Sequence, residues 1–169
     1  MKVRTRSIPG VGGLDIDFSI TPESLVSKGI RADEGFTHDI VCNVHLEEAD
    51  KDVYLSGQAV ALIDALCYRC GETFEHTQKT PLYLTCSPRG KYDDPKEKKA
   101  YGQSDVHQES EDGLVYFDND ELDLSEIVRE QVLLSLPMRY LCGENCQGVC
   151  IKCGATLNVE PHHCEVNPS

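Results

Sequence analysis

Two copies of one short pattern constrain this chain more than any other feature: Cys67-Tyr68-Arg69-Cys70-Gly71 and Cys150-Ile151-Lys152-Cys153-Gly154. Thiols separated by two residues can grip one ion from a tight turn. The glycine that follows permits the backbone conformation that turns amide N–H groups toward the sulfurs. One such turn is shared with redox motifs of the thioredoxin type, whereas two, each followed by glycine, point to structural metal. The chain holds nine cysteines, an odd number, so complete intramolecular disulfide pairing is impossible. In a reducing compartment, thiols at short fixed spacings read as metal ligands or catalytic groups rather than bridges.

Two further donor pairs lie nearby, Cys142 with Cys146 and His162 with Cys164, and His163 is an alternate donor. Structural zinc takes four ligands at tetrahedral positions, so four pairs make two sites. In one scheme Cys67 and Cys70 meet Cys142 and Cys146, and Cys150 and Cys153 meet His162 and Cys164. In its rival, Cys142, Cys146, Cys150 and Cys153 form one compact site and the first turn is loosely filled or empty. Two zinc ions are the expected cofactor, although spacing alone does not separate zinc from iron. Cys42 and Cys86, embedded in strand-like segments, read as small buried hydrophobes.

The expected fold class is α+β: an antiparallel β-sheet meander covered by one main helix, with a C-terminal cysteine-rich zinc-binding segment. Between His38 and Glu47, Ile40, Cys42, Val44 and Leu46 alternate with Val41, Asn43 and His45, the period of a half-buried strand. Glu48 to Asp52 is a polar turn, Val53 to Leu66 a second strand in which Gly57 marks a bulge, and Phe74 to Cys86 a third. Leu114 to Phe117 is a short fourth strand. Asp123, with Glu126 three residues on, starts a helix whose apolar stripe includes Leu124, Ile127, Val128, Val132, Leu134 and Leu136. Pro137 ends it. Residues 1–136 are thus expected to form sheet plus helix, with a mobile loop over 87–113, and residues 137–169 a tail packed on the sheet, all in one domain. That loop carries the run Lys96-Glu97-Lys98-Lys99 beside Asp93 and Asp94, which reads as a solvated mixed-charge surface.

The net charge is −13, the wrong sign for wrapping phosphate backbone over a broad face. It suits a basic partner such as a ribosomal protein, and suits solubility equally well. No apolar run approaches the roughly 18 residues of a membrane span. Lys2, Arg4 and Arg6 precede no apolar segment, so the expected location is the cytoplasm.

Catalytic readings fit less well. A catalytic zinc keeps an open position beside a carboxylate, as in H-E-x-x-H, and that pattern does not occur. The acidic cluster Asp118, Asp120, Glu121 and Asp123 reads as a turn with a helix cap rather than a hard-metal site. A redox role for Cys67 would want a helix N-terminus after the thiol, where the flanks look like strands. No small-molecule substrate is evident, and the expectation is a protein that is not an enzyme.

A family resemblance rests on particular residues: Cys67-Tyr68-Arg69-Cys70, Leu122-Asp123-Leu124, Glu130, Leu133 to Pro137, and Cys142, Cys146, Gly148, Cys150, Cys153-Gly154 and Leu157-Asn158. Over roughly Gly57 to Cys164 the chain resembles the bacterial YceD family, the large ribosomal RNA subunit accumulation proteins, described as predicted metal-binding proteins and as candidates for nucleic-acid binding. The resemblance implies a bacterial cytoplasmic factor for accumulation or processing of large-subunit rRNA. Its partner would be that RNA or a basic ribosomal protein. The tail of the family often ends in C-x-C, where this chain has His162-His163-Cys164.

Overall fold

A computed structural model describes residues 1–26, 35–89, 114–159 and Cys164. Its centre is the alternating segment from Ile40 onward. β3 (Ile40–Ala49) and β4 (Asp52–Leu66) form an antiparallel hairpin whose two turn residues, Asp50 and Lys51, have φ of 53° and 71°. Positive φ at both positions gives a turn whose twist matches the flanking strands. β5 (Thr73–Pro88) continues the meander as far as Leu66 opposite Thr73, and β2 (Leu14–Ile20) adds to the far side of β3. β6 (Leu114–Phe117) completes a five-stranded sheet in the order β2-β3-β4-β5-β6.

Three details differ from the pattern read in the sequence. β6 runs parallel to β5, so the sheet is mixed. A parallel neighbour needs a connection of a dozen or more residues, a length that the 25 residues between Pro88 and Leu114 supply. Pairing runs unbroken through Val44 opposite Gly57, so Gly57 marks no bulge. Glycine stands there because an added Cβ would collide with the Asn43 carbonyl oxygen. Ser87 and Pro88, expected in the loop, extend β5, and Ser87 is buried with its hydroxyl donating to Asp52 Oδ1 at 2.7 Å. The rest of that segment, 90–113, lies outside the described residues.

One face of the sheet is the core. Ile40, Cys42, Leu46, Val53, Leu55, Ile63, Leu82 and Cys86 are almost fully buried, together with one face of helix α2 (Leu124–Ser135). Leu124, Ile127, Val128 and Val132 supply that helix face, each worth about 1.5–3 kcal/mol when buried. Leu134, expected in the stripe, is 75% exposed, on the far side of the helix. Asp123 caps α2 by accepting the Glu126 N–H at 3.2 Å. Leu136 leaves the helix in an extended conformation, as the residue before a proline prefers. A small ladder of β1 (Lys2–Arg4) with β7 (Glu121–Asp123) buries Val3 against Leu122 at the start of the helix. A short helix, α1 (Pro22–Val26), follows β2.

Candidate metal centre

The β4–β5 hairpin is closed by residues 67–72, so the first C-x-x-C turn sits at the tip of the longest strand pair in the described structure. There the Cys67 N–H donates to the Glu72 carbonyl at 2.9 Å, and the Gly71 N–H donates back to the Cys67 carbonyl at 2.9 Å. Gly71 has φ of 73°, the left-handed conformation that closes the turn. The second turn repeats this residue for residue. The Cys150 N–H donates to the Ala155 carbonyl and the Gly154 N–H to the Cys150 carbonyl, both at 2.8 Å, with φ of 76° at Gly154.

After α2 the chain turns back over the hairpin tip. The Tyr68 N–H donates to the Tyr140 carbonyl at 2.8 Å, and the Tyr140 ring meets His76 edge-on at 5.1 Å. The Arg139 guanidinium lies over the Tyr68 ring at 4.5 Å, and Arg69 donates to the Cys146 carbonyl at 3.0 Å. These contacts deliver Cys142 and Cys146 to the first turn. The sulfurs of Cys67, Cys70, Cys142 and Cys146 all lie within 4.8 Å of one another. Cys67 to Cys146 and Cys70 to Cys142 are each 3.7 Å apart.

That spacing is chemically specific. Four sulfurs at about 2.3 Å from a central ion stand about 3.8 Å from each other on a tetrahedron, whereas a disulfide would bring a pair to about 2.05 Å. The donor set therefore fits a thiophilic divalent cation. A second cluster brings together the sulfurs of Cys150, Cys153 and Cys164, again within 4.8 Å. His162 and His163 lie outside the described residues. In the described structure Cys142 and Cys146 thus sit with Cys67 and Cys70, and not with Cys150 and Cys153.

Electrostatics within the first cluster are uneven. The Cys142 amide, followed by the Cys70 and Arg69 amides, points at the Cys67 sulfur and holds its thiol down to about 6 against the opposing effect of burial. Cys146 is also held low, first by the Asn158 side-chain amide, which donates to its sulfur at 3.4 Å. Cys142 is pushed up to about 12, first by Cys146 and then by burial and the other two thiols. Negative charge on one sulfur thus opposes charge on the next. A bound cation removes that conflict by stabilising every thiolate at once. In the second cluster Cys153, with burial, pushes Cys164 up to about 11.

Asn158 carries more of the site than sequence reasoning assigned to it. Besides reaching Cys146, its Oδ1 accepts the Gln147 N–H at 2.8 Å, locking the loop between the two clusters. The only signal for it was its place in the Leu157-Asn158 motif. Cys42 and Cys86 are fully buried in strands, where burial pushes both thiols up to about 12. The acidic residues 118–123 are occupied otherwise: Asp118 pairs with Arg89, Asp120 with Arg6 and Glu121 with Lys2, while Asp123 caps α2. Among the described residues, only the two cysteine clusters bring three or more metal-donor side chains together. Among the described residues, too, no helix is long and apolar enough to cross a membrane.

Comparison with known proteins gives the arrangement a context. An uncharacterised protein of Mycobacterium leprae is 28% identical over 122 residues, covering 72% of this chain and 50% of its own. A chloroplastic large ribosomal RNA subunit accumulation protein homologue of Arabidopsis thaliana is 26% identical, covering 92% of this chain and 54% of its own. Its counterpart in Zea mays is 40% identical over 38 residues, 22% of this chain and 13% of its own. The chain spans about half the length of the first two relatives. No solved structure matches it. The family model described as large ribosomal RNA subunit accumulation protein YceD matches residues 55–169, from near the start of β4 through both cysteine clusters, and the chain belongs to that family.

Proposed function

We propose that this protein is a non-enzymatic factor for large ribosomal subunit biogenesis, acting in accumulation or processing of large-subunit rRNA in the bacterial cytoplasm. Two structural zinc ions would staple its tail to its sheet, all within one domain. Cys67, Cys70, Cys142 and Cys146 would hold one ion. Cys150, Cys153 and Cys164 would hold the other, with His162 as fourth ligand. The observation that carries the metal assignment is the 3.7 Å spacing of two sulfur pairs at a hairpin tip whose backbone closes around them. The ribosomal assignment is supported by family membership. The family is described by an accumulation phenotype, and its plant relatives are chloroplastic, a compartment with its own ribosomes. The partner would be large-subunit rRNA or a basic ribosomal protein. Metal analysis of the purified protein should return two zinc ions per chain, and depletion in cells should alter the large-subunit sedimentation profile and precursor rRNA. An unchanged profile would sink the ribosomal role.

One observation favours a redox reading, the lowered thiol of Cys67. Cys67 is only 1% exposed, however, and a redox thiol must be reached by its substrate. Alkylation distinguishes the two: rapid reaction of Cys67 in metal-replete protein would favour redox chemistry.

A further inference from the structure

The five-stranded sheet buries one face under α2, while its other face is open among the described residues. The register assigns the side chains of that open face. Asp15, His45, Ser56 and Tyr83 lie side by side across β2 to β5, and Asp17, Asn43, Gln58 and Pro81 form the next row. On the same face, Glu47 stands opposite Tyr54, and Asp64 stands opposite Glu75. Five exposed carboxylates share this surface with one exposed lysine, Lys79. His45, held 2.6 Å from Asp15 and 3.5 Å from Glu47, offsets part of that charge when it is protonated.

Two features separate this face from an ordinary solvated surface. Asp64 and Glu75 are like charges at directly paired positions, an arrangement that destabilises a hairpin, and neither makes a salt bridge among the described residues. Tyr83 is 76% exposed and Tyr54 46%, large aromatic surfaces on a sheet face that none of the described residues covers. The acidic rim at β7 differs, because its carboxylates already meet Lys2, Arg6 and Arg89.

We infer that this open sheet face docks an arginine- or lysine-rich polypeptide segment, whose cations pair with Asp64, Glu75, Asp15 and Asp17 and stack on Tyr83 and Tyr54. Tyrosine faces attract guanidinium groups, and carboxylates receive their N–H donors. A phosphate backbone meets the wrong charge here. The inference rests on the assembly role for the source of its partner, a basic protein of the ribosome, but the recognition chemistry stands by itself.

The test uses the full chain loaded with zinc and a fluorescent alternating Arg-Gly peptide, read by anisotropy at about 0.15 M salt, where surface charges beyond about 8 Å are screened. The double variant Asp64→Asn/Glu75→Gln should weaken peptide binding about tenfold, and Tyr83→Ala about fivefold. The double variant relieves a repulsive pair, so its fold is retained and lost binding cannot be ascribed to unfolding. Glu130→Gln/Glu144→Gln, matched in charge change but away from the open face, should bind as the unaltered chain does. Equal weakening by both double variants, or tighter capture of a single-stranded RNA than of the peptide, would overturn the proposal. So would a dimer of the protein alone that the Asp64 and Glu75 changes dissociate, since the occupant would then be a second copy. The assembly role is read separately from the subunit profile after depletion: a normal profile with peptide binding intact defeats that role and leaves the docking face standing.

Discussion

The two C-x-x-C-G turns close the same pair of backbone hydrogen bonds, yet they are set in different surroundings. The first is the tip of a hairpin whose strands reach into the core, and Cys67, Cys70 and Cys146 are buried there to within 8%. The second belongs to a short local hairpin, with Val149 bridged to Thr156, and Ile151 at its tip is 98% exposed. The spans they close differ as well. Cys70 and Cys142 are 72 residues apart, whereas Cys150 and Cys164 are 14 apart by number. Loop closure grows as the logarithm of length, so fixing the longer span removes about 1.4 kcal/mol more conformational entropy from the unfolded chain. Identical local geometry thus does global work at one site and local work at the other.

Serine substitutions test this difference most severely. Cys67→Ser leaves three thiols, two of them buried, without their cation and frees the tail from the hairpin tip. A stability loss of about 3 kcal/mol or more is expected, a fall in Tm of about 6–12 °C by scanning calorimetry. Cys150→Ser should also cost one metal ion per chain, with a stability loss below about 1 kcal/mol because only the local tail loosens. An equal or larger fall for Cys150→Ser would break the comparison.

Asn158 sharpens it, because this residue follows the second turn and serves the first cluster. Asn158→Ala removes the donor to the Cys146 sulfur and the acceptor of the Gln147 N–H. The expected cost is about 1–2 kcal/mol, with zinc affinity at the first cluster down about 10–100-fold in a chelator competition. If affinity falls at the second cluster instead, Asn158 supports the tail's own site and the first cluster stands without it.

Two glycines with the same φ of 76° give a smaller contrast. An added Cβ at Gly148 would meet the Arg69 carbonyl oxygen at 3.1 Å, while at Gly154 nothing lies within 4 Å. Gly154→Ala should therefore cost left-handed strain alone, about 1–2 kcal/mol of local stability. Gly148→Ala adds a shift of the first turn and should lower Tm further. Equal Tm values would show that the tail does not press on Arg69.

These contrasts indicate which parts of the molecule were legible as sequence. Ile40, Cys42, Val44 and Leu46 announce a strand because a half-buried sheet has period two, and both C-x-x-C-G turns announce themselves by composition. Asp123 with Glu126 marks the helix start for the same local reason. The direction of β6 was not legible, since Leu114 to Phe117 reads identically parallel or antiparallel. β1 and β7 escaped because three residues are too few to show a period. Leu134 misled because a leucine at helical spacing carries no sign of which side faces the sheet. The partnership of Cys67 and Cys70 with Cys142 and Cys146 was one of two schemes, because counting ligands says nothing about which segments meet. The described fold brings them together through contacts such as that of Tyr68 with Tyr140, between residues distant in sequence.

The remaining test lies in pH, once chelation has removed the metal. Cys67 would then titrate at about 6, below its ordinary 9.0, so the unfolded chain binds more protons across that window. Its contribution to stability is complete above 9.0 and lost as pH falls through about 6. Cys164 has the opposite sign: raised to about 11, it contributes below 9.0 and loses that contribution as pH rises through 11. Melts of chelator-treated protein should show Tm rising from pH 6 toward 9 and declining above it, and Cys67→Ser should flatten the lower limb alone. A lower limb that instead disappears in Cys164→Ser would assign the depressed thiol to the tail and exchange the roles of the two clusters.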